Sequence, residues 1–195
     1  VPSPGAPLEA AARQHLHNLC LELEQQPGTY AQPATVDAAQ ALEGSWKVLY
    51  TDAPPPSNGR LGPLAGSAFQ WISVSPRAYV NELRVGDEAA PWLTVELRAS
   101  WEARDERTWR VAFDTIEFAL RPFGSADPLA KVSRGFPEGV TRDWAFTYTD
   151  PDLRLVRAGL SADGKVTELG KTLRGTSGGE DADEPFLFVL ERVAD

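Results

Sequence analysis

Apolar and polar residues alternate along most of the chain with a period of two, which is typical of strands that turn one face toward a core. In residues 92–101, for example, Leu, Val, Leu and Ala alternate with Thr, Glu and Arg. Patterns of this kind predict about eight strands, over residues 44–51, 67–73, 78–85, 92–101, 108–120, 143–148, 153–157 and 186–192. Because no crossover helices separate these strands, we expect a mainly β protein built as an antiparallel meander. Closing the meander into a barrel removes its exposed edges.

The first strand, Gly44–Thr51, is expected to begin the barrel. Alternation places Trp46, Val48 and Tyr50 on one face and the residues between them on the other. A barrel of eight strands either fills with side chains or holds one small ligand. The aromatic face of this strand is therefore a candidate lining for the interior.

Two later strands carry patterns of their own. Phe69 and Trp71 are expected to share one face of their strand. In residues 108–120 the apolar series changes parity after Phe113, which predicts a bulge or break near Asp114.

A period near 3.6 appears only close to the N-terminus, in residues 8–26. The apolar stripe consists of Leu8, Ala12, Leu16, Leu19, Cys20 and Leu23. We expect a helix packed on the outside of the barrel. An in-plane membrane anchor is disfavoured, since such helices carry several Lys or Arg residues and this segment has only Arg13. Thr35 is expected to cap a short second helix that ends near residue 43.

These patterns divide the chain into a tail, a helical prefix and one β domain. Residues 1–7 are rich in Pro and Gly and predict a flexible tail. Residues 8–43 form the helical prefix, and residues 44–195 form the barrel. Pro and Gly also predict an irregular excursion over residues 121–141. A long loop or hairpin insertion with an acidic end is expected over residues 159–185.

Composition excludes several classes of partner. The net charge is -9 and the pI is about 4.8, which argues against a nucleic acid and against simple adhesion to an anionic membrane. One cysteine cannot form an internal disulfide. The longest apolar run is the five residues 186–190, far short of the roughly 20 that a spanning helix needs, so no transmembrane span is expected. The chain begins at Val1 without methionine, so we expect that a leader has been removed.

The sequence offers little catalytic or metal-binding chemistry. The glycines at 59, 62 and 66 lack the Gly-Lys-Ser/Thr ending of a phosphate-binding loop. His15 and His17 are the only histidines, and their spacing directs them to different sides of a helix, away from a shared metal. Asp150 and Asp152 flank a proline and read as turn residues. No Gly-x-Ser-x-Gly elbow is present. An enzyme acting on an apolar substrate is therefore the least favoured function.

Several strand sequences resemble one known family. Residues 44–51, Gly-Ser-Trp-Lys-Val-Leu-Tyr-Thr, are similar to the opening G-x-W-x-L-x-Y-T of the plastid lipid-associated proteins, also called fibrillins or plastoglobulins. Residues 109–113 resemble the family's central strand. Residues 148–157 resemble its Y-L-D-x-x-L-R-I-x-R segment, and residues 188–192 its closing F-V-L-x-R. The family normally has a short turn where this chain has the insertion at 159–185.

The resemblance implies a lipocalin-like barrel and a plastid location at thylakoids or plastoglobules. It implies non-covalent binding of a carotenoid, a quinone or a lipid, no covalent cofactor and no enzyme activity. The implied candidates for ligand binding or barrel closure are Trp46, Tyr50, Gln70, Asn81, Phe113, Tyr148, Arg157, Phe188 and Arg192. Because the first and last strands of a closed barrel are neighbours, Trp46 is expected to stack against Arg192 or Arg157.

Two functions remain open from the sequence. One is a binding or structural protein for apolar plastid molecules, and the other is a peripheral subunit or assembly factor of a thylakoid membrane complex. In the second case the insertion at 159–185 and the Pro-rich loop at 52–63 are the expected docking features.

Overall fold

A computed structural model of the protein describes residues 8–26, 36–122, 125–160 and 185–193. The helices are α1 (Ala10–Glu24) and α2 (Val36–Leu42). The strands are β1 (Gly44–Thr51), β2 (Arg60–Leu61), β3 (Leu64–Ser73), β4 (Ala78–Gly86), β5 (Pro91–Ala103), β6 (Thr108–Leu120), β7 (Ala130–Gly135), β8 (Thr141–Thr149), β9 (Leu153–Leu160) and β10 (Phe186–Arg192). The predicted insertion at 159–185 and the predicted cap at Thr35 lie largely or wholly outside the described residues.

Eight of the strands form a closed, barrel-like ring. The order around the ring is β1-β10-β9-β8-β6-β5-β4-β3, and β3 pairs back onto β1. All of these pairings are antiparallel. The predicted mainly β, antiparallel, barrel-like fold of about eight ring strands is confirmed.

Two further strands extend the ring at its rim. Strand β2 pairs with the start of β3, and β7 pairs with the end of β6. The prediction of an irregular excursion over residues 121–141 is therefore wrong for Ala130–Gly135. All six residues of β7 are exposed, so the strand has no apolar face that alternation could reveal.

The ring closes where the first strand meets the last. Trp46 on β1 lies opposite Arg192 on β10 and opposite Gln70 on β3. The prediction that the strands of Trp46 and Arg192 are neighbours is confirmed. Because directly opposed residues of an antiparallel pair share a face, Trp46, Gln70 and Arg192 all point to the interior.

Helix α1 packs on the outside of β8, β9 and β10. Its residues Leu16, Cys20 and Leu23 contact an apolar cluster that includes Leu155 and Leu187. The apolar stripe is narrower than the sequence pattern indicates, because the side chain of Leu19 is 42% exposed.

An ion pair also holds α1 on the barrel. The guanidinium of Arg157 donates to Glu24 through Nε (2.8 Å) and Nη2 (3.1 Å). Thr147 Oγ1 donates to the same carboxylate at 2.7 Å. The contact with Glu24 raises the pKa of Arg157. Arg157 therefore lies on the outer face, and the alternative that it stacks on Trp46 is wrong.

β-Bulges reset the direction of side chains in two strands. The pairing of β1 with β10 shifts between Val48 and Tyr50, so Leu49 becomes exposed and Tyr50 turns outward toward α1. The prediction that Tyr50 shares the face of Trp46 is wrong for this reason. The bulge predicted near Asp114 is confirmed by a register shift in the pairing of β5 with β6, where Ala99 lies opposite Phe113.

Strand β3 turns its two aromatic residues outward. Phe69 and Trp71 flank the guanidinium of Arg84 on the outer surface, at 4.5 and 5.7 Å from the ring centres. The inner face carries Gln70 and Ile72 instead. The shared face of Phe69 and Trp71 is as predicted, and it lies outside the barrel.

Candidate functional site: a barrel cavity above a buried cation

A cavity of about 140 Å3 lies inside the barrel. It separates two apolar clusters, one centred on the aromatic residues of β5, β6 and β8 and the other on Leu83, Val95 and Ile116. Its lining is mostly apolar and comprises Ala53, Pro54, Pro55, Pro56, Ser57, Asn81, Leu97, Phe113, Ile116, Phe136, Val140, Arg142, Trp144, Ala158, Phe186 and Phe188. The Pro-rich loop that the sequence offered as a docking feature is thus part of the cavity wall.

Few polar groups line this cavity. Trp144 Nε1 is buried and has no hydrogen-bond partner among the described residues. Tyr79 donates its hydroxyl hydrogen to Asn81 Oδ1 at 2.5 Å, and this contact orients the Asn81 amide. Arg142 belongs to the wall and donates through Nη1 to the carbonyl of Thr141 at 2.8 Å. An apolar cavity with a few oriented polar groups is the usual form of a small-molecule site.

A buried arginine lies on the inner face of the neighbouring strands. Arg154 on β9 is 0% exposed, and its Nη2 donates to Gln70 Oε1 at 2.6 Å. Its Nε and Nη1, together with Gln70 Nε2, have no partner in the part of the chain that the structure describes. Burial lowers the pKa of Arg154 to about 9, so the guanidinium remains charged at neutral pH. Burial also raises the pKa of the neighbouring Tyr79 well above its ordinary value, which keeps that phenol neutral.

Two guanidiniums lie over the ring of Trp46 at one end of the barrel. Arg154 lies 4.5 Å from the Trp46 ring centre, and Arg192 lies 4.2 Å from it. Trp46 Nε1 donates to the carbonyl of Leu42 at 3.0 Å. Arg192 donates to the backbone carbonyls of Ala41, Glu43 (2.9 Å) and Pro151 (2.8 Å). These contacts tie α2 and the turn between β8 and β9 to the seam, so this end of the barrel is closed by protein.

The structure divides the nine predicted site residues between two surfaces. Inside the barrel are Trp46, Gln70, Asn81, Phe113, Phe188 and Arg192, of which Asn81, Phe113 and Phe188 line the cavity. Outside it, beneath or beside α1, are Tyr50, Tyr148 and Arg157. Tyr148 packs in the cluster under α1 and donates to Asp150 Oδ2 at 2.9 Å. These three outer residues are not brought to the cavity.

Sequence reasoning missed Arg154, Trp144 and Ala158. A usable signal exists for Arg154, since period-two alternation places it on the face of β9 opposite to Leu153 and Leu155. Hydrophobicity favours the face of Leu153 and Leu155 for the interior, but this face packs under α1. No comparable signal marks Trp144 and Ala158 as cavity residues, because a cavity depends on how distant strands meet.

The described ranges contain neither a candidate metal site nor a helix that could span a membrane. There, no group of three or more His, Cys, Asp and Glu residues is placed to hold a metal ion. Neither helix among these residues has the length and apolar character needed to cross a membrane.

No family model matches the chain, and no curated protein matches it either.

Proposed function

We propose that this protein binds an apolar small molecule in the cavity of its barrel and acts as a carrier or structural protein rather than as an enzyme. The observation that carries this proposal is the cavity itself, with apolar walls and the buried, unpartnered Trp144 Nε1. The resemblance described above supports a carotenoid, a quinone or a lipid as the ligand. It also supports a plastid location at thylakoids or plastoglobules.

The volume of the cavity limits what part of the ligand is enclosed. At about 140 Å3, it is close to an engineered cavity of about 150 Å3 that takes up benzene. It therefore encloses one ring or a short alkyl segment. A longer molecule would extend past the loop that contains Pro54 and Ser57.

The expected affinity follows from the buried surface. A ring of aromatic side-chain size removes about 150–250 Å2 from water. At about 25 cal/mol per Å2 this contributes about 4–6 kcal/mol, which corresponds to a Kd between about 1 mM and tens of micromolar. Affinity tighter than this requires a polar anchor in addition to the apolar walls.

A larger side chain in the cavity should weaken the binding of an apolar ligand. We expect Ala158→Leu to weaken binding of the neutral fluorescent probe N-phenyl-1-naphthylamine at least tenfold, because the added carbons occupy the cavity. The measurement is a fluorescence titration of both proteins. The matched control is Ala112→Leu, which places the same change on the outer face of β6. Equal binding by wild type and Ala158→Leu, with both proteins folded by circular dichroism, would exclude the cavity as the binding site.

A second function, as a peripheral subunit of a thylakoid membrane complex, is favoured by one surface feature. Leu129 and Val132 are 73% and 66% exposed on the β6–β7 rim. Contiguous exposed apolar surface often marks a docking site, and this second function requires that Leu129 and Val132 form part of such a surface. The double variant Leu129→Asp, Val132→Asp should then reduce cosedimentation with isolated thylakoid membranes severalfold. Leu49→Asp, at an exposed apolar position on β1, is the control, and equal losses in both proteins would argue against this rim as the dock.

A further inference from the structure

The interior of the barrel has an excess of hydrogen-bond donors. Four buried nitrogens on inward-facing side chains have no partner among the residues described, and they are Trp144 Nε1, Gln70 Nε2, Arg154 Nε and Arg154 Nη1. All four are donors. Unsatisfied buried donors each cost about 1–3 kcal/mol, and more when the group is charged. The interior therefore needs acceptor atoms that its own side chains do not supply.

The interior also carries a positive charge with no carboxylate opposite it. In the described parts of the ring strands, the positions that pair across the sheet onto the inner face include no Asp and no Glu. Arg154, by contrast, points inward and is fully buried. Among the described residues, the titratable side chains that act on Arg154 are Tyr79 and Arg192, and neither is a carboxylate.

Contacts within the protein stabilise Arg154 only in part. Its guanidinium faces Trp46 at 4.5 Å and lies 5.9 Å from the Phe146 ring centre. Cation–π contacts contribute about 0.5–2 kcal/mol each. Removing an ion of this size from water costs several kcal/mol, even after the protein relaxes. One hydrogen bond to Gln70 and two aromatic faces do not offset that cost.

The buried cation lies next to the cavity. Asn81 is part of the cavity wall, and on the inner face it lies directly opposite Gln70 in the pairing of β3 with β4. Side chains in such a pair have Cβ atoms about 5 Å apart. Gln70 in turn accepts from Arg154. The unpartnered donors of Gln70 and Arg154 thus lie one side chain away from the cavity wall.

We propose that the ligand is an apolar acid whose carboxylate is received by Gln70 Nε2 and the Arg154 guanidinium while its apolar part occupies the cavity. This inference rests on the proposed function, because it assigns a head group to the molecule that the cavity encloses. The carboxylate supplies both the acceptor atoms and the charge that the interior lacks. A charge-assisted hydrogen bond of this kind is about twice as strong as a neutral one, and it provides the anchor that the small cavity requires.

A matched pair of probes tests the head group. Dodecanoate and 1-dodecanol have the same chain and differ in charge. By isothermal titration calorimetry at pH 7, we expect the wild type to prefer dodecanoate at least tenfold. Arg154→Met keeps an unbranched apolar side chain of similar length. We expect this variant to bind dodecanoate and 1-dodecanol with about equal affinity. Arg98→Met, on the exposed outer face of β5, should retain the wild-type preference.

A second variant supplies the missing anion from the protein. Gln70→Glu places a carboxylate beside Arg154 in nearly the same volume. We expect its melting temperature to exceed that of the wild type, because the buried cation gains a partner. We also expect the preference for dodecanoate over 1-dodecanol to disappear or reverse, since a second carboxylate would meet a like charge.

The outcomes separate this inference from the proposed function. If neither probe binds the wild type, the proposed function fails. If both probes bind equally well, and Arg154→Met and Gln70→Glu change neither the ratio nor the melting temperature, only the inference fails. If acetate binds as tightly as dodecanoate, the cluster takes a free small anion and an apolar acid is the wrong ligand.

Discussion

Replacing Trp46 by alanine is expected to cost about 3–5 kcal/mol of unfolding free energy, the usual range for a fully buried Trp. The side chain is 0% exposed and joins three parts of the fold. It donates to the carbonyl of Leu42 at the end of α2, and its ring faces Arg154 on β9 and Arg192 on β10. Its removal leaves a cavity at the seam and takes the aromatic surface from two guanidiniums. Urea unfolding followed by circular dichroism measures the loss.

A tryptophan on the other side of the sheet provides the control. Trp71 is 41% exposed on the outer face of β3, where it donates to Glu82 at 2.9 Å. Trp71→Ala should cost about 1 kcal/mol, because most of the loss is one hydrogen bond and part of a cation–π contact. Trp46→Phe should fall between the two, since it keeps a ring but loses the donor to Leu42. If Trp46→Ala costs no more than Trp71→Ala, Trp46 does not hold the seam.

The fold class could be predicted because one rule governs most of the strands. A strand with one buried face alternates, and residues 78–85 and 92–101 do so without interruption. The change of parity after Phe113 correctly predicts a bulge because both halves of β6 still face the same interior. Closure brings the first and last strands together, which is why the sequence predicts that the strands of Trp46 and Arg192 are neighbours, while it leaves Arg157 open as an alternative partner of Trp46.

Alternation fails where a strand is covered on both sides. Leu155 and Val156 are adjacent in β9, and both are 0% exposed, because Val156 faces the interior and Leu155 lies under α1. In such a strand the apolar face does not identify the interior. Because of this ambiguity, alternation did not remove Arg157 from the candidates that the resemblance implies, and it did not point to Arg154. A bulge in β1 has a similar effect on Tyr50, since one extra residue reverses every later side chain.

The candidate site also could not be predicted from local sequence patterns. Gln70 is a polar residue between Phe69 and Trp71, and hydrophobicity alone directs the two aromatic residues inward. They face outward and Gln70 faces inward, where it accepts from Arg154, a residue 84 positions later in the chain. An interior polar contact between distant strands leaves no period in the sequence. The same holds for the cavity, whose walls come from β4, β5, β6, β8, β9, β10 and two loops.

Gly66 is the position at which the smallest substitution should do the most damage. A Cβ atom added there would lie 2.0 Å from the carbonyl oxygen of Arg84 and 3.1 Å from Val85 Cα. Both are backbone atoms of β4, the strand that pairs with Gly66, so no side-chain rotation relieves the overlap. Gly66→Ala must push β3 and β4 apart at this point, and we expect a loss of about 3 kcal/mol or more. The strand that the sequence predicts over residues 67–73 leaves this glycine out, whereas the structure places it inside β3 as a site of close backbone approach.

Gly135 in β7 is the matched control for this argument. Its added Cβ would meet only the carbonyl oxygen of Asp114, at 3.8 Å, which is an ordinary van der Waals contact. Gly135→Ala should therefore be neutral or slightly stabilising, because alanine restricts the unfolded chain more than glycine does. Both variants are measured by urea unfolding under the same conditions. Equal stability of the two variants would mean that β3 and β4 do not approach as closely as the structure shows. Since Gly66 and Gln70 lie on the same strand, the register that brings Gln70 to Arg154 would then be in question as well.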